Sequence, residues 1–555
     1  MRSRLISTAA CAAIVLPAAN AASPVLSTSP VLSEVVVTAT LRAQDQMDVP
    51  ASIVVLTAQT LADGGQQHFQ DVLAQVPNLN WASASSRPRY FQIRGIGERE
   101  QYEGAPNSSV GFLIDDIDFS GIGMAATLFD VAQIEVLRGP QGTRYGANAL
   151  AGLIAVRTVD PSDTYSARVA VDLGNYDTQS LGFSATGPVE TLDSAWRVAV
   201  NKFRSDGFRD NTFLNRDDTN GRDELTARGK WRWHASERSQ LDLTFLHANL
   251  ANGYDAFSID NTRVTLSDAP GEDSQRANAG AVKWVNTFDS EMSFTAIATA
   301  TDSSSVHAYD SDWGNPQSWA PYDYEYLYRA DRSHATQTLE ARLTSAPAVN
   351  DGDVAWLVGA YGLRLRERIA EMTNYSDPLL SRYQATNAAL FAQLDGRFAQ
   401  RWVWTSGLRG ERRSAGYRDT RPTDTGRSDR MLGGNAALTF EASDHTRLYG
   451  SIARGYKAGG FNLGLARARR AEFEPEFLWN YELGVKSQGL EGSLYIETSI
   501  FYMQRKDMQV RSGEQLTPGD PTSYLFVTSN AARGRNYGVE SSVRWLPAAG
   551  LELGA

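Results

Sequence analysis

No arrangement of side chains in this sequence spells out a catalytic centre. Its 6 histidines are scattered, with no HExxH pair, no paired axial-ligand motif for haem, no GxSxG turn and no P-loop. Gly95-Ile96-Gly97 by itself is no nucleotide site. What remains is binding chemistry. Between Asp302 and Thr336, Tyr309, Trp313, Trp319, Tyr322, Tyr324, Tyr326 and Tyr328 interleave with Asp310, Asp312, Asp323 and Glu325. Such rings can stack on a flat aromatic ligand, or pack against one another and their neighbours, and the pattern leaves both open. Asp217-Asp218 with Asp223-Glu224 could hold a calcium ion, but the ligand spacing of an EF-hand is missing, and a solvated acidic loop is the simpler reading.

Two further stretches carry mechanical rather than chemical signals. Glu34–Thr40 (EVVVTAT) is a strong strand former with nothing local to pair with. It can be the first strand of the next domain, or it can be added to the sheet edge of another protein. Phe129–Thr158 carries two apolar runs, Ile134–Leu137 and Leu153–Val156, with Gly139, Pro140, Gly142, Gly146 and Gly152 between them, so the backbone turns tightly several times. Arg138, Arg144 and Arg157 lie in these apolar surroundings and need partners if buried.

The elements that position these residues fall into two textures. Val49–Thr158 reads as one mixed α/β unit of about 110 residues. It has strands at Ile53–Leu56, Arg89–Arg94 and Val110–Ile114, and a short amphipathic helix Phe69–Val76 stopped by Pro77-Asn78. From Ala167 the pattern turns to period two: Val169, Val171 and Leu173, then Trp196, Val198 and Val200, then Leu241, Leu243 and Phe245. Such strands, about 9–11 residues long, recur roughly sixteen times. Their connections alternate between short (Asp289–Glu291, Ala399–Arg401) and long (Asp302–Thr336, Ala370–Gln384, Arg413–Arg430). Tight turns on one side and long loops on the other predict a transmembrane antiparallel β-barrel, whose average hydropathy need not look membranous.

The totals agree. A net charge of -11 argues against nucleic acid as a partner. No stretch offers the roughly 18 apolar residues of a helical span. Arg2 and Arg4 followed by the apolar run Leu5–Ala19 predict a signal peptide cleaved after Ala21. The single cysteine, Cys11, lies inside it, so the exported chain has no thiol and no disulfide. The last residues, Leu551–Ala555, begin another strand without a terminal aromatic residue, and the barrel reads as incomplete at its C-terminus.

Several motifs in one order now resemble a family. EVVVTAT resembles a TonB box (Glu34, Val35, Val36, Val37, Thr38 and Ala39). VPASIVVL at Val49–Leu56, DVLAQVPNL at Asp71–Leu79, FQIRG at Phe91–Gly95 and the whole of Phe129–Thr158 are similar to the plug of TonB-dependent outer-membrane receptors. SIARGYKAGGFN at Ser451–Asn462 and FEPEFLWNYELGVKS at Phe473–Ser487 resemble barrel segments of the siderophore and iron-complex receptors among them. The resemblance implies a plug inside a barrel of about 22 strands, of which about 16–17 would be present here. The domains would be a signal peptide at 1–21, a flexible leader with the TonB box at 22–48, a plug at 49–160 and the barrel at 161–555.

The resemblance also implies binding and gating rather than catalysis. The expected role is energy-coupled import of a ferric siderophore or related iron complex across a Gram-negative outer membrane, by a monomer with no cofactor of its own, iron being only part of the cargo. TonB, the ligand and the outer-membrane lipid or lipopolysaccharide are the expected partners. The same scaffold could instead import cobalamin, a saccharide or an aromatic compound, or a truncated product could bind ligand without transport. Arg94, Gly95, Glu135, Arg138, Gly139, Pro140, Gly142, Gly146 and Arg157 are the plug-motif positions, the charged ones being candidates to hold the plug to itself or to the wall. Ligand candidates are Glu98, Arg99, Gln101 and Tyr102 in the plug, and Tyr309, Trp313, Trp319, Tyr322 and Tyr324 in the barrel.

Overall fold

Two short strands precede everything else: β1 (Val36–Val37) pairs antiparallel with β2 (Gln44–Asp45). Then come β3 (Ile53–Thr57) and α1 (Ala58–Asp63), the helix capped by the Thr57 hydroxyl accepting from the Thr60 amide. A small sheet of β4 (Leu79–Asn80), β5 (Gln92–Ile93) and β6 (Ile96–Gly97) follows, and after it β7 (Val110–Ile114) and β8 (Ile117–Asp118). The glycine-broken stretch supplies β9 (Val131–Arg138), the one-turn α2 (Gly142–Tyr145) and β10 (Gly152–Thr158). This is a computed structural model, and it describes residues 32, 35–40, 42–81, 85–99, 107–322, 324–421, 423–464, 472–515, 517–518 and 524–555. The expected signal peptide, Glu34, Gln101 and Tyr102 lie outside the described residues.

The two apolar runs of Phe129–Thr158 do form a hairpin, β9 antiparallel to β10, at the centre of a five-stranded sheet ordered β3-β9-β10-β7-β8. Apart from Glu135 the runs are apolar on both faces because both sheet faces are covered. Ile134, Val136, Ile154 and Val156 point into a core built around Phe69, Phe91 and Phe112, whose rings meet at 5.0–5.5 Å. On the opposite face Leu137 and Leu153 pack with Val37, Ala39, Ile53 and Val55.

The short helix expected over Phe69–Val76 is present as a 3-10 helix, Phe69–Gln75, tightened by a capping box between His68 and Asp71. One expectation for the plug is corrected. The strand expected over Arg89–Arg94 shrinks to Gln92–Ile93. Arg89 leaves the ladder to pair with Asp273 of the surrounding wall at 3.0 Å, next to Arg87, which pairs with Glu224 at 2.7 Å.

The wall is a 17-stranded sheet running from Ser166–Gly174 to Leu551–Gly554, each strand antiparallel to the next in the chain's order. Its strands are longer than the expected 9–11 residues, reaching 23 in Ser376–Phe398 and 25 in Tyr524–Ala548. The long connections shorten accordingly. Strand Val354–Thr373 turns into Ser376–Phe398 through residues 374–375, and Trp402–Asp419 turns into Asp424–Ser443 through 420–423. The hydrogen-bonded ladder continues past the apolar zone, where outward residues become polar and the hydrophobic alternation that marks a strand disappears.

Candidate functional site

The strand-like segment near the N-terminus is not free. Beyond its pairing with β2, it is held by one carboxylate on β9. Glu135, 1% exposed, accepts from the Thr38 amide (2.9 and 3.0 Å), the Thr38 hydroxyl (2.6 Å) and the Ala39 amide (2.7 Å). Gln133 Nε2 donates to the Val36 carbonyl at 2.8 Å, and the Tyr145 hydroxyl of α2 to the Ala39 carbonyl at 2.8 Å. Val37 is fully buried while Val36 stays exposed. Past this latch, Arg42 donates to the carbonyls of Ser345 and Trp356, and Lys486 to those of Gln46 and Val49, so the wall anchors the chain just after the segment.

Three residues further along β9 the chemistry changes. Arg138 lies 3.3 Å from Glu540 and 4.0 Å from Glu497. Arg94, in the tight β5–β6 turn with Gly95 (φ +53° and +73°), pairs with Glu482 at 2.9 Å and Glu540 at 2.7 Å, and its guanidinium lies 3.9 Å from the centre of the Phe501 ring. Burial works against this charge, but the two glutamates outweigh it and push the guanidinium above its ordinary value. These pairs are buried, and Arg94 adds two hydrogen bonds to Glu540 through Nε and Nη2, the condition under which removing one partner is costly. Gly139 and Pro140 continue from Arg138, with Pro140 against Gly455 of the wall. At Gly142 the plug meets Gly455 and the Arg454 carbonyl so closely that a Cβ would lie 3.2–3.3 Å from them. Gly146 takes φ +69°, and any side chain there would overlap the Glu411 carboxylate. Arg157 is different: it is exposed and pairs with Asp160 at 2.6 Å, and Asp160 in turn meets Lys230 and Arg232 of the wall.

A sheet domain threaded by a latched strand and clamped inside a large antiparallel wall matches two family profiles. The TonB-dependent receptor plug domain matches residues 45–153, and the TonB dependent receptor-like β-barrel matches 141–555. The chain is a TonB-dependent receptor. It is a protein of the Gram-negative outer membrane, and its relatives include siderophore receptors and vitamin B12 transporters. It is 24% identical over 514 residues to the pesticin receptor of Yersinia enterocolitica, covering 89% of this chain and 72% of that protein. A 242-residue stretch, 41% of this chain and 31% of the relative, is 26% identical to the ferrioxamine B receptor of Salmonella typhimurium. Among solved structures, the ferric yersiniabactin uptake receptor FyuA from Yersinia pestis superposes with a TM-score of 0.78 at 21% identity, covering 90% of this chain and 77% of that one.

On the opposite side of the receptor's plug, Glu98 joins plug to wall. It accepts from the Ser109 amide and hydroxyl and from Lys457 Nζ at 2.6 Å. Burial alone would raise this carboxyl, but Lys457 and Ser109 hold it below the usual carboxylate range. Arg99 is exposed beside it. Among the barrel aromatics, Tyr309 and Trp313 pack on Phe257, Trp313 stacked at 5.1 Å, and Trp319 donates its indole N–H to Asp312 at 2.8 Å. Tyr324 packs on Trp319 and Tyr375 but, like Trp313, stays exposed, and Tyr322 is exposed most of all. Sequence reasoning missed a lumenal cluster. Tyr417 stacks on Phe461 at 5.8 Å, Tyr383 meets the same ring at 6.1 Å, and Arg413 donates to the Tyr383 hydroxyl at 3.0 Å. It also missed Glu482, Glu497 and Glu540, the wall partners of the plug arginines. The signal for all of these was a charged or aromatic residue on the inward register of a period-two strand, as in Arg409, Glu411, Arg413 and Tyr417.

Proposed function

We propose that the receptor takes up a ferric siderophore or related iron complex from outside and delivers it to the periplasm when TonB pairs with Val35–Ala39. The observation that carries this reading is that latch and clamp share one strand: Glu135 and Arg138 are both on β9. A pull on the segment acts through Glu135 on β9 and reaches the Arg138–Glu540 contact directly, so the strand that TonB would engage is wired to the ion pairs that seat the plug. The likeness to receptors named for ferrioxamine B and ferric yersiniabactin supports the cargo, and the lumenal Tyr383–Arg413–Tyr417–Phe461 cluster supplies aromatic and cationic contacts suited to an anionic or aryl iron complex. The test is growth of an iron-starved Gram-negative host, stripped of its own siderophore receptors, on a panel of purified ferric siderophores, with and without its tonB gene. TonB-dependent growth on at least one ferric complex is expected. Uptake of labelled cobalamin or a saccharide, with no ferric complex supporting growth, would overturn the cargo assignment.

A further inference from the structure

The plug is not seated equally all round. On the flank of strands Glu476–Gly489, Leu494–Gln515 and Tyr524–Ala548, Arg94 and Arg138 are locked to Glu482, Glu497 and Glu540, and no side chain of these pairs is more than 1% exposed. Against strands Gly271–Thr287 and Leu327–Thr344 the contact is looser. There Lys283 meets Asp116 at 2.9 Å with side chains 32% and 43% exposed, and two cavities lie between plug and wall.

The lower cavity, about 270 Å³, has Thr38, Ala39 and Thr40 of the latched segment along one side and Lys230, Lys283 and Arg342 of the wall along the other. The upper, about 70 Å³, lies among Leu113 and Asn148 of the plug and Thr338, Tyr361 and Asn387 of the wall. Leu113, Asp116, Tyr145 and Arg342 line both, so these side chains are the partition between them. Above, Tyr361 and Leu363 pack in one group with the lumenal Tyr383, Tyr417 and Phe461. A row of voids thus leads from the aromatic cluster to the segment.

The partition is tied to the segment. Leu113 and Tyr145 pack against the group that contains Val37 and Ala39, and the Tyr145 hydroxyl donates to the Ala39 carbonyl at 2.8 Å. Withdrawing the segment removes one side of the lower cavity and takes from Tyr145 both its packing and that hydrogen bond, which returns rotamer freedom to the ring. We propose that Val35–Ala39 is the door of the exit path as well as its handle: withdrawn, it opens the lower cavity to the periplasm and frees Tyr145, and the solute leaves along this flank rather than the one held by Arg94 and Arg138. Both cavities are smaller than the roughly 300 Å³ or more that a drug-sized ligand fills, so the path must widen. Widening at the partition breaks the exposed Lys283–Asp116 pair, which holds little, whereas widening on the other flank breaks buried pairs. The inference rests on the transport reading for the solute and on the cavities for the path.

The test uses the full receptor in planar bilayers with no ligand present. Ala39→Arg puts a long cation at a position only 4% exposed and displaces the segment, and its leak conductance is expected to exceed wild type at least tenfold. Adding Thr338→Trp, which fills the upper cavity, is expected to bring the conductance back towards wild type. Adding Ser451→Trp, which fills a cavity of about 70 Å³ beside Arg138 and Glu482, is expected to leave it high. In iron-starved cells given a radio-iron siderophore complex that supports growth, Thr338→Trp is expected to bind as wild type does and to accumulate at least tenfold less. Ser451→Trp is expected to keep both within twofold. Heat-modifiable migration checks that each barrel is folded; if Ala39→Arg fails to fold, the two tryptophan variants in cells still decide. Conductance of Ala39→Arg equal to wild type, block by Ser451→Trp in place of Thr338→Trp, or equal accumulation by the two tryptophan variants would each overturn the path. A wild type that accumulates no ferric complex would overturn the cargo assignment instead, and the conductance comparison then decides the path alone.

Discussion

Glu135→Ala should release the latch without unfolding the plug. Three donors of the segment end on this carboxylate: the Thr38 amide, the Thr38 hydroxyl and the Ala39 amide. At about 1 kcal/mol net each, their loss shifts the docked–undocked balance by about 3 kcal/mol, or roughly 100-fold. The docked pose is disfavoured further because two buried amides lose their acceptor. The sequence offers a clean probe: its only cysteine is Cys11, within the expected signal peptide, so Val36→Cys gives a single exposed labelling site. Spin-label spectra of the ligand-free receptor should show a mobile component that grows in Glu135→Ala. The isolated periplasmic domain of TonB should bind the ligand-free variant up to about 100-fold more tightly than it binds wild type. Thermal melting of the plug separates release from unfolding. Identical label mobility and identical TonB affinity in the two proteins, with both plugs folded, would refute the latch.

Other perturbations read other parts of the structure. Arg94→Ala leaves Glu482 and Glu540 buried without their main partner, and should cost the plug about 3–5 kcal/mol and raise leak conductance in planar bilayers. His68 Nε2 donates to the Met124 carbonyl while Nδ1 accepts the Gln70 amide, and burial, then Arg87, push its pKa down to about 3. The unfolded chain therefore binds a proton that the folded one refuses. Plug stability should fall as pH drops from about 6.5 towards 3, by about 1.4 kcal/mol per unit, and calorimetry of His68→Gln should lose that slope. Gly146→Val, forced into φ +69° against Glu411, should lower the yield of folded barrel, measured by heat-modifiable migration.

The sequence displayed the β9–β10 hairpin because two apolar runs bounded by glycine turns have few alternatives, and the barrel because period-two alternation recurs. Strand length was hidden because hydrophobic alternation reports only the part of a strand that faces lipid. In Val354–Thr373, Val354 to Gly362 carry the pattern and Arg364 to Arg368 do not, yet all belong to one ladder. The partner of Val36–Val37 was illegible because Gln44 and Asp45 have weak strand character, and their pairing is imposed by Glu135 and by anchors on the wall. The arginines of the plug motif were visible as charges needing partners. Which glutamates met them depended on register across 17 strands, where one residue's slip turns an inward side chain outward. The aromatic loop kept its ambiguity until Trp313 was found stacked on Phe257 and Tyr322 left open.

The central claim is that the Val35–Ala39 segment couples energy to uptake while taking no part in ligand capture. Cells carrying the receptor with Val37→Pro, which removes an amide from the strand and its ability to zip into a partner sheet, decide this most directly when binding and accumulation of a radio-iron siderophore complex are measured side by side. Surface binding equal to wild type with accumulation lost is the predicted result. Accumulation equal to wild type would contradict it.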